Sequence, residues 1–175
     1  MTSNDILRRL RYAFDFDDSK MIALFALADS EVTRAEISDW LKQDDDLDFQ
    51  ECPDIVLATF LNGLIIDKRG KKDGPQHPPE EKLTNNIVLR KLKIALELKD
   101  DDLIEILARV DIKFSRHELS AFFRKPGHKH YRQCLDQFLR NFLDGLQSDH
   151  RPEPRPKPKP KVKENPYGKT KPKED

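Results

Sequence analysis

Apolar residues recur at helical spacing along most of this chain, and the recurrence is written twice. Ile6, Leu7, Leu10, Ala13 and Phe14 form the stripe of one amphipathic helix, and Val88, Leu89, Leu92, Ala95 and Leu96 form the same stripe further on. A second helix opens on Asp17-Asp18 in one place and on Asp100-Asp101-Asp102 in the other, where carboxylates complement the partial positive charge of a helix start. Met21, Ile22, Leu24 and Phe25 give its apolar face, matched by Leu103, Ile104, Ile106 and Leu107. Thr33-Arg34-Ala35-Glu36 and Ser115-Arg116-His117-Glu118 are capping boxes that predict a third helix. Its buried side is Ile37, Trp40 and Leu41, or Leu119, Phe122 and Phe123. A fourth helix follows Cys52-Pro53, burying Ile55, Val56, Phe60, Leu61 and Leu64, with Phe138, Leu139, Phe142, Leu143 and Leu146 as counterparts.

The two stretches align without a gap when residues 86–146 are laid over 4–64, an offset of 82. Asn4 meets Asn86, Cys52 meets Cys134, Asp54 meets Asp136, and Gly63 meets Gly145. Each unit of roughly 60 residues is near the lower limit for folding alone, so the copies are expected to share a core. Two copies are too few for a solenoid. The expected fold class is all-α: two tandem homologous helical units of about four short helices each, packed with pseudo-twofold symmetry. The divisions are residues 1–66 (copy one), 67–85 (a charged Gly/Pro connector), 86–148 (copy two) and 149–175. The last segment runs Arg-Pro-Glu-Pro-Arg-Pro-Lys-Pro-Lys-Pro-Lys from Arg151, and its composition predicts a disordered, extended tail. Gly63 and Gly145 either cap their helices or admit a neighbouring backbone.

Charge separates what the repeat equates. The chain of 175 residues is neutral overall, but copy one carries −8, the connector +1, copy two +3 and the final segment +4. Such blocks report on partners more than on fold. No apolar run approaches the ~20 residues of a membrane span. The charged N-terminus does not read as a signal peptide. Two cysteines without a Cys-x-x-Cys suit reduced thiols, and the expected location is the cytoplasm.

Several stretches resemble one family. They are Ser3-Asn4-Asp5-Ile6-Leu7-Arg8, Cys52-Pro53-Asp54-Ile55-Val56-Leu57 with Phe60-Leu61-Asn62-Gly63-Leu64-Ile65, and Asn85-Asn86-Ile87-Val88-Leu89-Arg90-Lys91-Leu92. Gly127-His128-Lys129-His130-Tyr131-Arg132-Gln133-Cys134 with Gln137-Phe138-Leu139-Arg140 completes the set. The chain is similar over residues 1–147 to the YehS-like family, small proteins built from two copies of one short domain. The resemblance implies a bacterial, cytoplasmic protein and supplies no activity, cofactor or catalytic residue. The basic tail goes beyond the family pattern.

The most site-like stretch is Arg124 to Cys134, a loop that gathers Arg124, Lys125, His128, Lys129, His130, Tyr131 and Arg132 before a helix start. Cations and backbone N–H groups at such a place suit phosphate, and Tyr131 suits stacking on a base. The plain alternative is a solvated basic loop. Copy one places Asp44, Asp45, Asp46 and Asp48 in the matching stretch, which would repel nucleic acid. His-x-His-x₃-Cys from His128 to Cys134, with His117, is a poor match to metal-site spacing, so no metal or cofactor is expected. Cys52 and Cys134 stand beside helix starts, where a reactive thiolate is one reading and a small buried hydrophobe the stronger one. A helix-turn-helix reading of the second and third helices meets a connection, Ala28 to Thr33, longer than the usual turn. Its better candidate is Arg116 to Lys125 of copy two. No phosphate loop, metalloprotease motif or nucleophile elbow is present, so no enzyme is expected. The expected function is a binding or adaptor module. Copy two and the tail would contact a polyanion such as RNA or a ribonucleoprotein. The acidic copy would contact a basic protein or the chain's own basic copy. The alternative is a protein–protein module with no nucleic-acid role.

Overall fold

Both capping boxes form, and they start two of the eight helices among the described residues. In the computed structural model, which describes residues 1–151, these are α1 (Ser3–Phe14), α2 (Asp18–Leu27), α3 (Arg34–Leu41), α4 (Asp54–Arg69), α5 (Asn85–Ala95), α6 (Asp100–Ala108), α7 (Arg116–Phe122) and α8 (Asp136–His150). There is no strand among the described residues. Of the tail expected from residue 149, Asp149 and His150 instead complete α8 and Arg151 follows as its cap, while the residues after Arg151 lie outside those described. Thr33 Oγ1 accepts from the Glu36 N–H at 3.1 Å while Glu36 accepts from the Thr33 N–H, and Ser115 and Glu118 repeat the exchange. A third box, Thr2 with Asp5, opens α1. Such caps satisfy donors that the first helical turn leaves without partners. Asp17 caps α2 through the Lys20 N–H, and Asp102 accepts from the Lys99 N–H at the start of α6.

Helix ends obey the same repeat. Asp15 and Asp29 adopt positive φ after α1 and α2, and Glu97 and Asp111 do so after α5 and α6. These left-handed residues turn the chain and let following N–H groups close on the last carbonyls, as Ser30 does on Phe25 and Ile112 on Leu107.

The core is continuous between copies. α1 packs on α8 and α4 on α5, and each of these pairs is the other shifted by 82 residues. That exchange is the signature of a pseudo-twofold axis. Leu7, Leu10, Leu61 and Leu64 from copy one join Leu89, Leu92, Leu143 and Leu146 from copy two in a single buried cluster. Phe25 holds Trp40 and Phe60 at ring distances of 5.9 and 5.5 Å. Copy two builds a different aromatic group from Phe114, Phe122 and Phe138, in which only Phe122 has an aromatic equivalent, Trp40, and Phe122 and Phe138 lie 4.6 Å apart.

Gly63 and Gly145 admit a backbone and do not cap. A Cβ on Gly63 would stand 1.8 Å from the Leu24 carbonyl oxygen, and one on Gly145 would stand 2.4 Å from that of Ile106. α2 therefore lies directly on α4, and α6 on α8. Helix α4 runs through Asp67–Arg69 and stops where Gly70 takes φ +82°. The connector beyond it is pinned at three points, the first where Asn62 donates to the His77 carbonyl at 3.4 Å. Lys91 pairs with Glu80 at 2.9 Å, and Asp54 accepts from the Leu83 N–H at 2.9 Å and from Ser3 Oγ at 2.7 Å. Arg9 reaches across to Asp144 at 2.7 Å. No helix among the described residues is long and apolar enough to cross a membrane.

Candidate functional site

The loop between α7 and α8 is tied down before it does anything else. Asn86, buried at the start of α5, donates to the carbonyls of Phe122 at 3.0 Å and Arg132 at 2.8 Å, and accepts from the Cys134 N–H at 2.9 Å. The Arg132 N–H closes on the Ala121 carbonyl at 3.1 Å. One asparagine thus fixes where α7 ends, where the loop returns and where α8 approaches. Asn4 does the same in copy one, donating to Trp40 and Gln50 and accepting from Cys52. The identity of Asn4 and Asn86 is visible in the repeat, but nothing in the sequence says that these residues hold the loops.

Between its anchors the loop makes two turns, Lys125 O to His128 N and His128 O to Tyr131 N. Pro126-Gly127, with Gly127 at φ +89°, gives the first the positive φ that a type II turn requires. Copy one makes the same pair of hydrogen bonds, Gln43 O to Asp46 N and Asp46 O to Phe49 N. His128 Nδ1 accepts from the His130 N–H, as Asp46 Oδ1 accepts from the Asp48 N–H. The two loops therefore share one hydrogen-bond pattern and carry opposite chemistry, although the positive φ of Gly127 has no counterpart at Asp45.

In copy two this frame faces α7 across a cleft of ≈ 310 Å³. Arg124, His130, Tyr131 and Arg132 line it, together with His117, Glu118 and Ser120 of α7. Tyr131 is half-buried and Arg132 exposed. Lys125, His128 and Lys129 are exposed on the outer loop and do not line the cleft. Among the described residues Arg124, Lys125, Lys129 and Arg132 make no ion pair. The carboxylate at the edge, Glu118, is committed to the Ser115 N–H and hydroxyl. Those bonds, helped by the charges of Arg132 and His117, hold its pKa below the usual glutamate value. The α7 wall of the cleft is not legible in the sequence, because His117 and Ser120 enter through helix spacing and not through the basic run.

The start of α8 is not an open anion site. Asp136 occupies its first turn, where the Met1 amino group and Asn85 bind the carboxylate and lower its pKa. The cationic character of this loop therefore rests on side chains. The broader groove on copy one, lined by α1, Asp17, Asp18, Ser38 and Lys42, is also less suited. Its cations are already taken: Arg8 by Asp5, Arg11 by Asp18, Lys42 by Asp39 and Arg151 by Asp15. The Arg151 guanidinium also lies 3.6 Å from the Tyr12 ring centre.

The cysteines stand apart from this chemistry. Burial, with Asp54 or Asp136 nearby, pushes the thiols of Cys52 and Cys134 up to about 12. Cys134 is buried with its thiol on the Leu135 carbonyl, while His128 and His130 are exposed. The structure does not gather the His-x-His-x₃-Cys residues. Both thiols are expected to resist alkylation at pH 8 in the native protein and to react on unfolding in urea, since the thiolate is the nucleophile. Native modification at the rate of a free thiol would contradict their burial.

A family model matches residues 3–70 and 85–151, one match for each copy. Its description is "Protein of unknown function (DUF1456)". The chain belongs to the DUF1456 family. It is also 48% identical over 147 residues to the uncharacterized protein YehS of Escherichia coli (strain K12), covering 83% of this chain and 94% of that protein. No solved structure matches. The doubled DUF1456 match coincides with the two helical units, and the acidic and basic α3–α4 and α7–α8 loops lie inside the matched residues.

Proposed function

We propose that the chain is a non-enzymatic binding module of the bacterial cytoplasm that contacts a polyanion, RNA or a ribonucleoprotein, through the copy-two cleft. The observation that carries this reading is the set of cations around Tyr131 that make no ion pair among the described residues, on a hydrogen-bond pattern that copy one fills with aspartates. Arg132 and His130 in the cleft, with Lys129 on the outer loop, meet phosphate, and Tyr131 offers a ring to an unpaired base. Arg124 extends the cationic wall beyond α7, while Lys125 adds charge and His128 a polar ring at the outer loop. The basic sequence beyond residue 151 supplies further charge at longer range.

A protein–protein role has one observation of its own: Leu47 stands fully exposed among the aspartates of copy one. The two readings separate in a titration of generic single-stranded RNA at two salt concentrations. Phosphate contacts release counterions, so affinity is expected to rise as salt falls, with a slope of about 0.7 per phosphate contacted. Absence of binding at low salt would leave the protein–protein reading.

A further inference from the structure

We propose that the copy-two cleft also receives the acidic α3–α4 loop of a second molecule of this chain, with Leu47 as the apolar anchor. The proposal rests on reading the cleft as a site for anionic groups, and it names a partner for that site.

The loop is built to present rather than to bury. Its two turns leave Leu47 at a relative exposure of 101%, the largest value among the exposed apolar residues. Its equivalent in copy two is Lys129, so nothing in the frame demands a leucine. Asp44, Asp45, Asp46 and Asp48 surround it. Asp44 lies 3.5 Å from Arg8 and Asp48 4.0 Å from Lys42, loose pairs that leave the loop negative. Asp45 has no ion pair among the described residues. An isolated leucine on a surface needs no explanation, but one ringed by carboxylates is an amphipathic tip.

The cleft is its complement. Arg124, His130 and Arg132 line it together with Tyr131 and Ala121, and its one carboxylate among the described residues, Glu118, is committed to Ser115. A leucine against Tyr131 and Ala121 would place its neighbouring carboxylates against the guanidinium groups, where charge-assisted hydrogen bonds are strongest. Both loops are tied to their own copies, by Asn4 and by Asn86, so the pairing is between molecules. It joins two different surfaces of one chain. It therefore closes as a dimer only if both loop–cleft pairs form together, and otherwise extends head to tail. The contact is small and charged at its rim, so association is expected to be weak and salt-sensitive.

Sedimentation velocity of the full chain over a range of concentrations, at low and high salt, tests the pairing. The expected result is a mass that rises with concentration at low salt and returns to the monomer at high salt. Asp45→Lys and Arg132→Glu are each expected to abolish the rise, and Leu47→Ser to weaken it at least several-fold. Mixing Asp45→Lys with Arg132→Glu is expected to restore it, because both loop–cleft pairs are then complementary again. A monomer at every concentration and salt would overturn the proposal, and so would association that survives in either charge variant. The same variants separate this inference from the polyanion reading. RNA binding by a strictly monomeric protein would sink self-association alone. Complementation in the mixture without any RNA binding would sink the nucleic-acid role alone.

Discussion

Gly63→Ala is expected to destabilise the protein by about 3 kcal/mol, the upper part of the range for overpacking a filled core. The new Cβ would lie 1.8 Å from the Leu24 carbonyl oxygen, a backbone atom that moves only if α2 leaves α4. The better helix propensity of alanine offsets about 1 kcal/mol of the strain at most. Gly145→Ala makes the same insertion between α6 and α8 at 2.4 Å from the Ile106 carbonyl oxygen, and also meets the Ile106 side chain at 2.7 Å. Its expected cost is smaller, about 2 kcal/mol. Urea denaturation of both variants against the parent measures the order. Equal stability of Gly63→Ala and the parent would mean that α2 and α4 do not approach this closely.

Asn86→Ala carries the second large effect, and it reaches function as well as stability. The substitution strands the Phe122 and Arg132 carbonyls and the Cys134 N–H, three groups that Asn86 alone brings together. A buried polar group left without a partner costs about 1–3 kcal/mol, so a loss of about 3 kcal/mol is expected for the set. Asn4→Ala removes the same three bonds from copy one and should destabilise by a similar amount. The two variants part in binding. Asn86→Ala frees the loop that carries His130, Tyr131 and Arg132, and so weakens polyanion binding measured well below its melting temperature. Asn4→Ala leaves that loop held. Equal binding losses in the two variants would place the site elsewhere.

The sequence carried the scaffold because the scaffold is local. Apolar spacing and the Thr33 and Ser115 boxes act within a single turn or two of helix, so they can be read one stretch at a time. The repeat then doubled each observation. What escaped reading depends on partners far along the chain. Gly63 left two roles open, and only the Leu24 carbonyl lying against it decides between them. Asn86 bonds to residues 36 and 46 positions away. The basic stretch was legible as a loop, but not the wall that α7 gives it. The start of α8 looked open to phosphate because no spacing rule predicts that Met1 and Asn85 bind Asp136 there.

The broken symmetry of the copies now has a structural form: one hydrogen-bonded loop frame, made twice and given opposite side chains. The claim that function lies in those side chains is tested most directly by giving copy two the residues of copy one. Lys129→Leu with Arg132→Gln does this at two positions and leaves the Asn86 clamp and the Pro126-Gly127 turn in place. Titration of single-stranded RNA over a salt series is the measurement. Thermal stability should be unchanged and binding at low salt weaker. The salt slope should fall by about 1 to 2, since each phosphate that the two cations no longer neutralise removes about 0.7 to 1 from it. Binding with the parent's affinity and slope would contradict the claim.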